Sequence, residues 1–131
     1  MLTAHMTQIA PRNGFTWHPH RGLEIYTYVI DGTLYHEDTT GGRGEITAGE
    51  VQRMFSGNFI QHQELNLTDA FARVIQIWFV ADVQHMGLPP HYEQVKLADM
   101  FSRLVGDGVV RDIIGPNGAT DSHVDARLTS T

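Results

Sequence analysis

The sequence of 131 residues contains no cysteine, a single lysine and no long apolar run. Without cysteine, neither a disulfide framework nor a thiolate metal site can form, so a bound metal would need histidine and carboxylate ligands. The lack of disulfides fits a reducing compartment. No secretory signal or membrane span is predicted, and we expect a cytoplasmic protein with no membrane contact.

Positive charge is also scarce. Nine lysine and arginine residues stand against fifteen acidic residues, which gives a formal net charge of −6. No basic stripe interrupts this balance, so we expect no direct binding of nucleic acid. Hydrophobic residues make up 41% of the chain, which is typical of a globular domain with its own core.

Short β-branched and aromatic segments, separated by glycine-containing turns, predict an all-β fold. Their spacing of about eight to twelve residues is typical of barrels and sandwiches. Asp31-Gly32 predicts a hairpin between the first two segments. The predicted strands cover residues 23–30, 33–38, 44–48, 50–56, 59–65 and 71–80.

The pattern changes after residue 81. Two prolines in 87–94 argue against a central strand there, and the apolar spacing in 96–105 predicts a short helix. Residues 124–131 fit either a last strand or a frayed end. We therefore expect a barrel over 1–95 and an extension over 96–131, which contains the helix, a loop and the last strand and packs on the barrel or on a partner chain.

Two histidines, His18 and His20, are separated by one residue. Side chains at positions i and i+2 of a strand point to the same face, so both imidazoles can reach one ion. Pro19 between them has no backbone N–H, which predicts a strand start or an edge strand. By itself this spacing is a weak signal, because many such pairs bind nothing.

A second pair, His62 and Glu64, has the same spacing. If the two strands face each other inside a barrel, three imidazoles and one carboxylate meet. This set of nitrogen and oxygen donors suits Fe, Mn, Ni, Cu or Zn and leaves open positions for a ligand. Taken alone, each of these residues could equally well be a metal ligand or an ordinary hydrogen-bonded or solvent-facing side chain. The four together favour a metal, because buried charges need a partner.

Glu24 is an alternative fourth ligand. It lies an even number of residues from His18 and His20, and side chains with this spacing share a face along a strand. It would either replace Glu64 or lie deeper in the barrel. His36 fits either a residue that supports the ligands or a surface residue. Five histidines are predicted to bind no metal: His5, His36, His85, His91 and His123.

The sequence that contains these candidate ligands resembles the pirin family of cupins. The likeness runs from about Gly14 to Gln94 and is carried by H-P-H-R-G at 18–22, G-x-V-Q-x-M at 49–54 and H-x-E at 62–64. It implies a cupin-type antiparallel β-barrel, jelly-roll-like, with one bound metal, usually iron. The ligands that it implies are His18, His20, His62 and Glu64, since the family's glutamate at the position of Glu24 is not usually a ligand.

The resemblance implies two alternatives for the function. Some members resemble quercetin 2,3-dioxygenases, which act on a small aromatic substrate, and others resemble metal-binding regulators that dock a protein partner. For the enzyme, Glu64 is the expected catalytic residue, as metal ligand or as base. Arg21 fits two roles equally, which are to orient an anionic ligand or to pair with an acid. Four aromatic residues are expected to divide between pocket and core, with two or more in the core: Phe15, Trp17, Phe55 and Phe59.

The sequence departs from the family pattern in three respects. Typical members have two cupin domains and a longer segment before the first ligand. Arg53 occupies the position of a usual tryptophan, and G-N-F-I-Q replaces a turn of small residues before H-x-E. Because a barrel that lacks strands exposes its edges, we expect a homodimer, with exchanged terminal segments as one means of covering them.

Overall fold

The computed structural model describes residues 2–81, 86–95, 101–105, 108–114 and 128–130. This part of the chain is built from strands and turns, which confirms the predicted all-β class. It contains no helix long and apolar enough to cross a membrane. The strands are β1 (Leu2–Ile9), β2 (Gly14–His20), β3 (Leu23–Asp31), β4 (Thr33–Asp38), β5 (Arg43–Thr47), β6 (Val51–Phe55), β7 (Ile60–Leu65), β8 (Ala72–Val80), β9 (His91–Val95), β10 (Phe101–Val105), β11 (Gly108–Ile114) and β12 (Leu128–Ser130).

Two antiparallel sheets enclose the core. One has five strands in the order β1-β8-β3-β6-β9, and the other has four in the order β2-β7-β4-β5. Apolar side chains from both inner faces pack together, so the sheets close on each other face to face. One cluster contains Ile9, Val29, Leu34, Ile46, Ala72 and Val74, and another contains Ile25, Met54 and Ile60.

Pro19 and the prolines before β9 are compatible with strands at sheet edges. β2 is an edge strand of the four-stranded sheet and β9 is an edge strand of the five-stranded sheet. An edge strand leaves one side of its backbone unpaired, so a missing N–H costs little there. The predictions that Pro19 lies at a strand start or edge, and that 87–94 is no central strand, are confirmed.

The predicted hairpin at Asp31-Gly32 is wrong, because β3 and β4 belong to different sheets. The chain turns a corner here and passes from one sheet to the other. Gly32 has a φ of 81°, and a Cβ at this position would lie 2.6 Å from the carbonyl oxygen of Phe71. Glycine is therefore needed for a close approach to the start of β8, with a backbone conformation that other residues rarely adopt.

The helix predicted over 96–105 is wrong at Phe101–Val105, which forms β10. β10 pairs with β11 from Phe101↔Asp112 to Val105↔Gly108, and β12 completes a three-stranded antiparallel sheet. Strand pairing overrides a local helical pattern of this length. Residues 96–100 lie outside the described part of the chain. Of the predicted last strand, residues 128–130 form β12, and residues 124–127 and 131 lie outside the described part.

β2 contains a β-bulge that matters for the site. Phe15 pairs with Glu64 and His18 pairs with His62, so that Thr16 and Trp17 together face a single residue of β7. The extra residue exchanges the two faces of the strand. As a result Phe15 lines the same cavity as His18, although simple alternation would place it on the opposite face.

Candidate metal centre

Three imidazoles converge between the two sheets, those of His18 and His20 from β2 and of His62 from β7. The Nε2 atoms of His18 and His62 are 2.8 Å apart. One ligand nitrogen from each of the three residues lies within 4.8 Å of the others. Two ligands at right angles, each about 2.1 Å from one ion, would be about 3 Å apart. The separation of His18 and His62 therefore fits two ligands of the same ion.

The hydrogen bonds of these imidazoles leave nitrogen atoms available. Nδ1 of His18 donates to the carbonyl oxygen of Thr16 at 2.7 Å, which leaves its Nε2 with a lone pair. Nε2 of His20 and Nδ1 of His62 are buried without a hydrogen-bond partner among the described residues. Such atoms are costly in a protein interior. A cation bound by His20 would remove part of this cost.

Burial keeps two of the imidazoles neutral. Burial, and then the charge of His18, lowers the pKa of His20 from 6.5 to about 4. Burial also lowers the pKa of His62, and neighbouring histidines lower it further, to about 2. Metals bind the neutral form of histidine. His20 and His62 are thus held in the neutral form that binds metal.

Glu64 lies beside these imidazoles on β7. Its Oε1 is 3.8 Å from Nε2 of His62, and Gln76 on β8 donates to its two oxygens at 3.0 and 3.2 Å. Burial raises the pKa of Glu64, and the hydrogen bond from Gln76 opposes that rise. A cation would compensate a carboxylate that is fully removed from water. The structure therefore places the four residues around one cavity. Their ligand atoms form two close groups that share His62, one with His18 and His20 and the other with His36 and Glu64. The role of the four residues as ligands stays a prediction.

Glu24 is not brought to the imidazoles. It lies next to the cavity-lining Ile25 on β3 and so points to the opposite face of the sheet. Its Oε1 accepts hydrogen bonds from the hydroxyl of Tyr26 at 2.5 Å and from Nε of Arg53 at 2.7 Å. Both partners of the Glu24–Arg53 ion pair are buried. Parity along the chain does not place Glu24 with His18, because β2 and β3 belong to different sheets.

His36 is buried behind the candidate ligands and is not a surface residue. On β4, it lies opposite Glu64, and Asp38 lies opposite His62. Nε2 of His36 donates to Oδ2 of Asp38 at 2.6 Å, and the ring of Tyr92 stacks on His36 with centroids 4.0 Å apart. One ligand atom of each of His36, His62 and Glu64 lies within 4.8 Å of the others. His36 therefore supports the candidate ligands from the side of β4.

A cavity of about 190 Å³ opens at the imidazoles. Pockets that bury drug-sized ligands are usually about 300–1,000 Å³, so this one has room for little more than a single ring system. The ring of Trp78 contacts that of His20 edge-on at 5.2 Å. The cavity is lined by His5, Phe15, His18, His20, Ile25, His62, Glu64, Gln76 and Trp78.

Gln76 lines the cavity but was not among the site residues predicted from the sequence. It alternates with Val74 and Trp78 on the inner face of β8, where a polar residue has to find a polar partner. A glutamine at a core-facing position of a predicted strand was the available signal. His5 is at the cavity through β1, a strand that the sequence pattern does not predict. His91 lies on β9 away from this lining, whereas His85 and His123 lie outside the described residues.

Of the four aromatic residues considered for the pocket or the core, only Phe55 is buried. The expectation that two or more of them belong to the core is therefore wrong. Phe15 and Trp17 are each 46% exposed, and Phe59 is 40% exposed. The bulge in β2 explains Phe15, because it turns that ring into the mouth of the cavity. The carbon of the Arg21 guanidinium lies 5.1 Å from the centroid of the Phe59 ring.

Comparison with known proteins gives one family. The family model described as Pirin matches residues 2–79. A quercetin 2,3-dioxygenase of Escherichia coli strain K12 is 34% identical over 116 residues, which are 88% of this chain and 48% of that protein. A pirin-like protein of Caulobacter vibrioides is 48% identical over 71 residues, which are 54% of this chain and 31% of that protein. The chain thus spans half or less of the length of these relatives.

Solved structures show the same likeness. The crystal structure of GK1651 from Geobacillus kaustophilus has a TM-score of 0.86 and 27% identity, and the match covers 98% of this chain and 52% of that one. The bacterial pirin YhhW from Escherichia coli, in complex with nickel(II), has a TM-score of 0.79 and 31% identity. That match covers 96% of this chain and 52% of the YhhW chain.

Proposed function

This chain belongs to the pirin family of cupins, and we propose that it holds one divalent transition metal. The ligands in this proposal are His18, His20, His62 and Glu64. The observation that carries it is the convergence of three imidazoles on one point, with the buried Nε2 of His20 unpartnered among the described residues. The nickel(II) complex of the bacterial pirin YhhW supports a metal in this family. Iron is our first candidate, and Mn, Ni, Cu and Zn accept the same donors.

We further propose that the metal-loaded protein is a dioxygenase for flavonol-like substrates such as quercetin. When bound, the metal would bring an electron-rich enol and O2 together. The relative of this chain named quercetin 2,3-dioxygenase supports this reaction class. Glu64 would accept the proton of the enol hydroxyl, either as a ligand or after detaching. Gln76 would hold the Glu64 carboxylate in place during that transfer, through the hydrogen bonds described above.

In this proposal the apolar walls of the cavity orient the aromatic ring of the substrate. Phe15, Ile25 and Trp78 present apolar surface beside the imidazoles. Such a wall would exclude water from the reacting face of an aromatic ring and would fix the plane of that ring. The substrate would therefore be oriented by shape on one side and by nitrogen and oxygen donors on the other.

A metal-binding regulatory module that docks a protein partner is the second candidate. The size of the cavity favours it, since about 190 Å³ is less than the volume of most pockets for drug-sized ligands. A three-ring flavonol would extend beyond the cavity. In a regulatory module, the ion would serve as a redox-sensitive element and the cavity would need no large substrate.

Metal analysis and oxygen consumption, both on protein without an affinity tag, test the two parts of the proposal. We expect about one equivalent of Fe per chain after reconstitution, and oxygen uptake with quercetin. His62→Ala should lower the metal content at least about tenfold, whereas His91→Ala, at an exposed histidine of β9, should not. Unchanged metal content in His62→Ala would contradict the site. Full metal content without oxygen uptake would contradict the dioxygenase and favour the regulatory module.

A further inference from the structure

Arg21 is an exposed cation that follows the candidate ligand His20 in the chain. Arg12, Arg53 and Arg73 each pair with a carboxylate, and Arg21 has no such partner within the described residues. Its guanidinium lies over the ring of Phe59, with the guanidinium carbon 5.1 Å from the ring centroid. Of the two roles that the sequence left open for Arg21, the pairing with an acid is therefore not seen in the described part of the chain.

The contact with Phe59 restrains the Arg21 side chain and leaves the guanidinium able to bind an anion. A guanidinium that lies over an aromatic ring is held by attraction to the ring face. Its N–H donors lie in its own plane and can still bind both oxygens of a carboxylate. Because the ring restrains the flexible side chain in advance, less conformational entropy is lost when an anion binds.

The position of Arg21 connects it with the metal cavity. A surface depression of about 330 Å³ is lined by Pro19, His20, Arg21 and Phe59. His20 also lines the cavity of about 190 Å³, so this residue is common to the two spaces. A ligand with one ring in the cavity can therefore extend a substituent past His20 towards Arg21. The depression could also hold the part of a larger ligand that extends beyond the cavity.

We propose that Arg21 and Phe59 form an anion subsite, and that among planar aromatic substrates this protein prefers those that carry a carboxylate. The proposal rests on the proposed function, because the ring is assigned to the metal cavity. Phe59 and Pro19 offer apolar contact to the part of the ligand outside the cavity. The chain carries a net charge of −6, so an anion needs a local cation in order to approach.

Binding of two matched probes to the metal-loaded protein tests the subsite. 4-Hydroxybenzoate and 4-hydroxybenzamide have nearly the same shape and differ in charge. We expect the acid to bind about tenfold more tightly than the amide in the wild-type protein, as measured by calorimetry. Arg21→Gln should remove this preference, and Arg21→Lys should retain part of it, since lysine keeps the charge without the planar fork. Arg43→Gln, at an exposed arginine of β5, is the matched control and should keep the full preference.

Two results would overturn the subsite. One is equal affinity of the wild-type protein for the acid and the amide, and the other is an undiminished preference in Arg21→Gln. The metal content of every variant, measured in parallel, separates this outcome from a failure of the metal site. A preference that depends on Arg21 supports the subsite even if quercetin gives no oxygen uptake, in which case only the proposed dioxygenase reaction fails.

Discussion

Gln76 donates from one nitrogen to both carboxylate oxygens of Glu64, and this contact joins the two sheets at the candidate metal centre. The same nitrogen lies 3.2 Å from the hydroxyl oxygen of Thr27 on the neighbouring strand. Glu64 is otherwise removed from water, so Gln76 helps to orient its carboxylate. A residue that touches a metal ligand in this manner affects metal affinity without contacting the ion.

Gln76→Leu should therefore weaken metal binding about 10- to 100-fold, because the carboxylate of Glu64 loses the donor that orients it. Competition with a chelator of known affinity measures the effect. Gln63→Leu is the control, since Gln63 lies on the outer face of β7 and donates to Glu37 instead. Equal metal affinity of the Gln76→Leu variant and the wild-type protein would show that Gln76 does not position Glu64.

Glu24→Gln distinguishes the two carboxylates that competed as fourth ligand. Glu24 pairs with Arg53 on the face of the sheet opposite to the cavity, so its loss should leave metal affinity unchanged. The variant should nevertheless lose about 3 kcal/mol of unfolding free energy, because the buried charge of Arg53 would keep only its longer contact with Glu93, at 3.5 Å. Urea unfolding and metal titration measure the two quantities. Loss of metal binding in a folded Glu24→Gln protein would assign Glu24 to the site.

Asp38→Asn should destabilise the protein in a pH-dependent manner. Asp38 accepts hydrogen bonds from His36, from the backbone and hydroxyl of Thr40, and from the backbone of Gly42. Burial acts to raise the pKa of Asp38, but the hydrogen bonds from His36 and Thr40 hold it below its ordinary value of 3.8. The charged form therefore contributes stability that is present above pH 3.8 and is lost as the pH falls through the folded-state pKa.

At neutral pH we expect Asp38→Asn to lower the unfolding free energy by about 1–3 kcal/mol. Below pH 3.8 the difference from the wild-type protein should shrink. Urea unfolding at a series of pH values measures it, with Asp69→Asn, at an exposed ion pair with Arg12, as the control. A difference that stays constant with pH would mean that the charge of Asp38 contributes nothing.

Gly14→Ala should disturb the contact between β2 and β7. A Cβ at Gly14 would lie 2.4 Å from the carbonyl oxygen of Glu64 and 2.7 Å from Cα of Leu65. These are backbone atoms, so the strand itself would have to move. Since β2 carries His18 and β7 carries His62, we expect a loss of about 1–3 kcal/mol together with weaker metal binding.

Thermal unfolding and metal titration check this expectation. Gly87→Ala is a suitable control, because a Cβ at Gly87 would meet no atom within 4 Å. If Gly14→Ala unfolds at the same temperature as Gly87→Ala and binds metal equally well, the two strands are able to adjust and the close approach at Gly14 is not required.

Local patterns predicted the parts of the fold that depend on one strand at a time. The six predicted strands correspond to β3 through β8, and the two residues of each proposed ligand pair share a face as alternation requires. These features follow from side-chain periodicity and need no knowledge of neighbours in space. They explain why His18 with His20, and His62 with Glu64, were found.

Several features that depend on contacts between distant segments were not predicted. Glu24 was a candidate for the fourth ligand because it lies an even number of residues from His18 and His20. This spacing does not predict a shared face, because β2 and β3 lie in different sheets. The turn at Asp31-Gly32 has the residues of a hairpin, but the chain continues into the other sheet. The core-facing position of Gln76 in β8 indicates a need for a polar partner, but the identity of that partner, Glu64 on the other sheet, is not evident from β8 alone. Sheet membership is set by the whole core, and a single segment carries little information about it.

The extra residue in β2 also limits how the length of the chain can vary near the site. Deleting one residue at Thr16 or Trp17 would remove the bulge, and Phe15 and His18, then two positions apart, would share a face by simple alternation. Deleting both residues would make Phe15 and His18 neighbours in a regular strand and would place them on opposite faces. Among homologous chains, a segment that is one residue shorter would thus keep the aromatic wall of the cavity beside its imidazoles, whereas a segment two residues shorter would separate them, even where every histidine is retained.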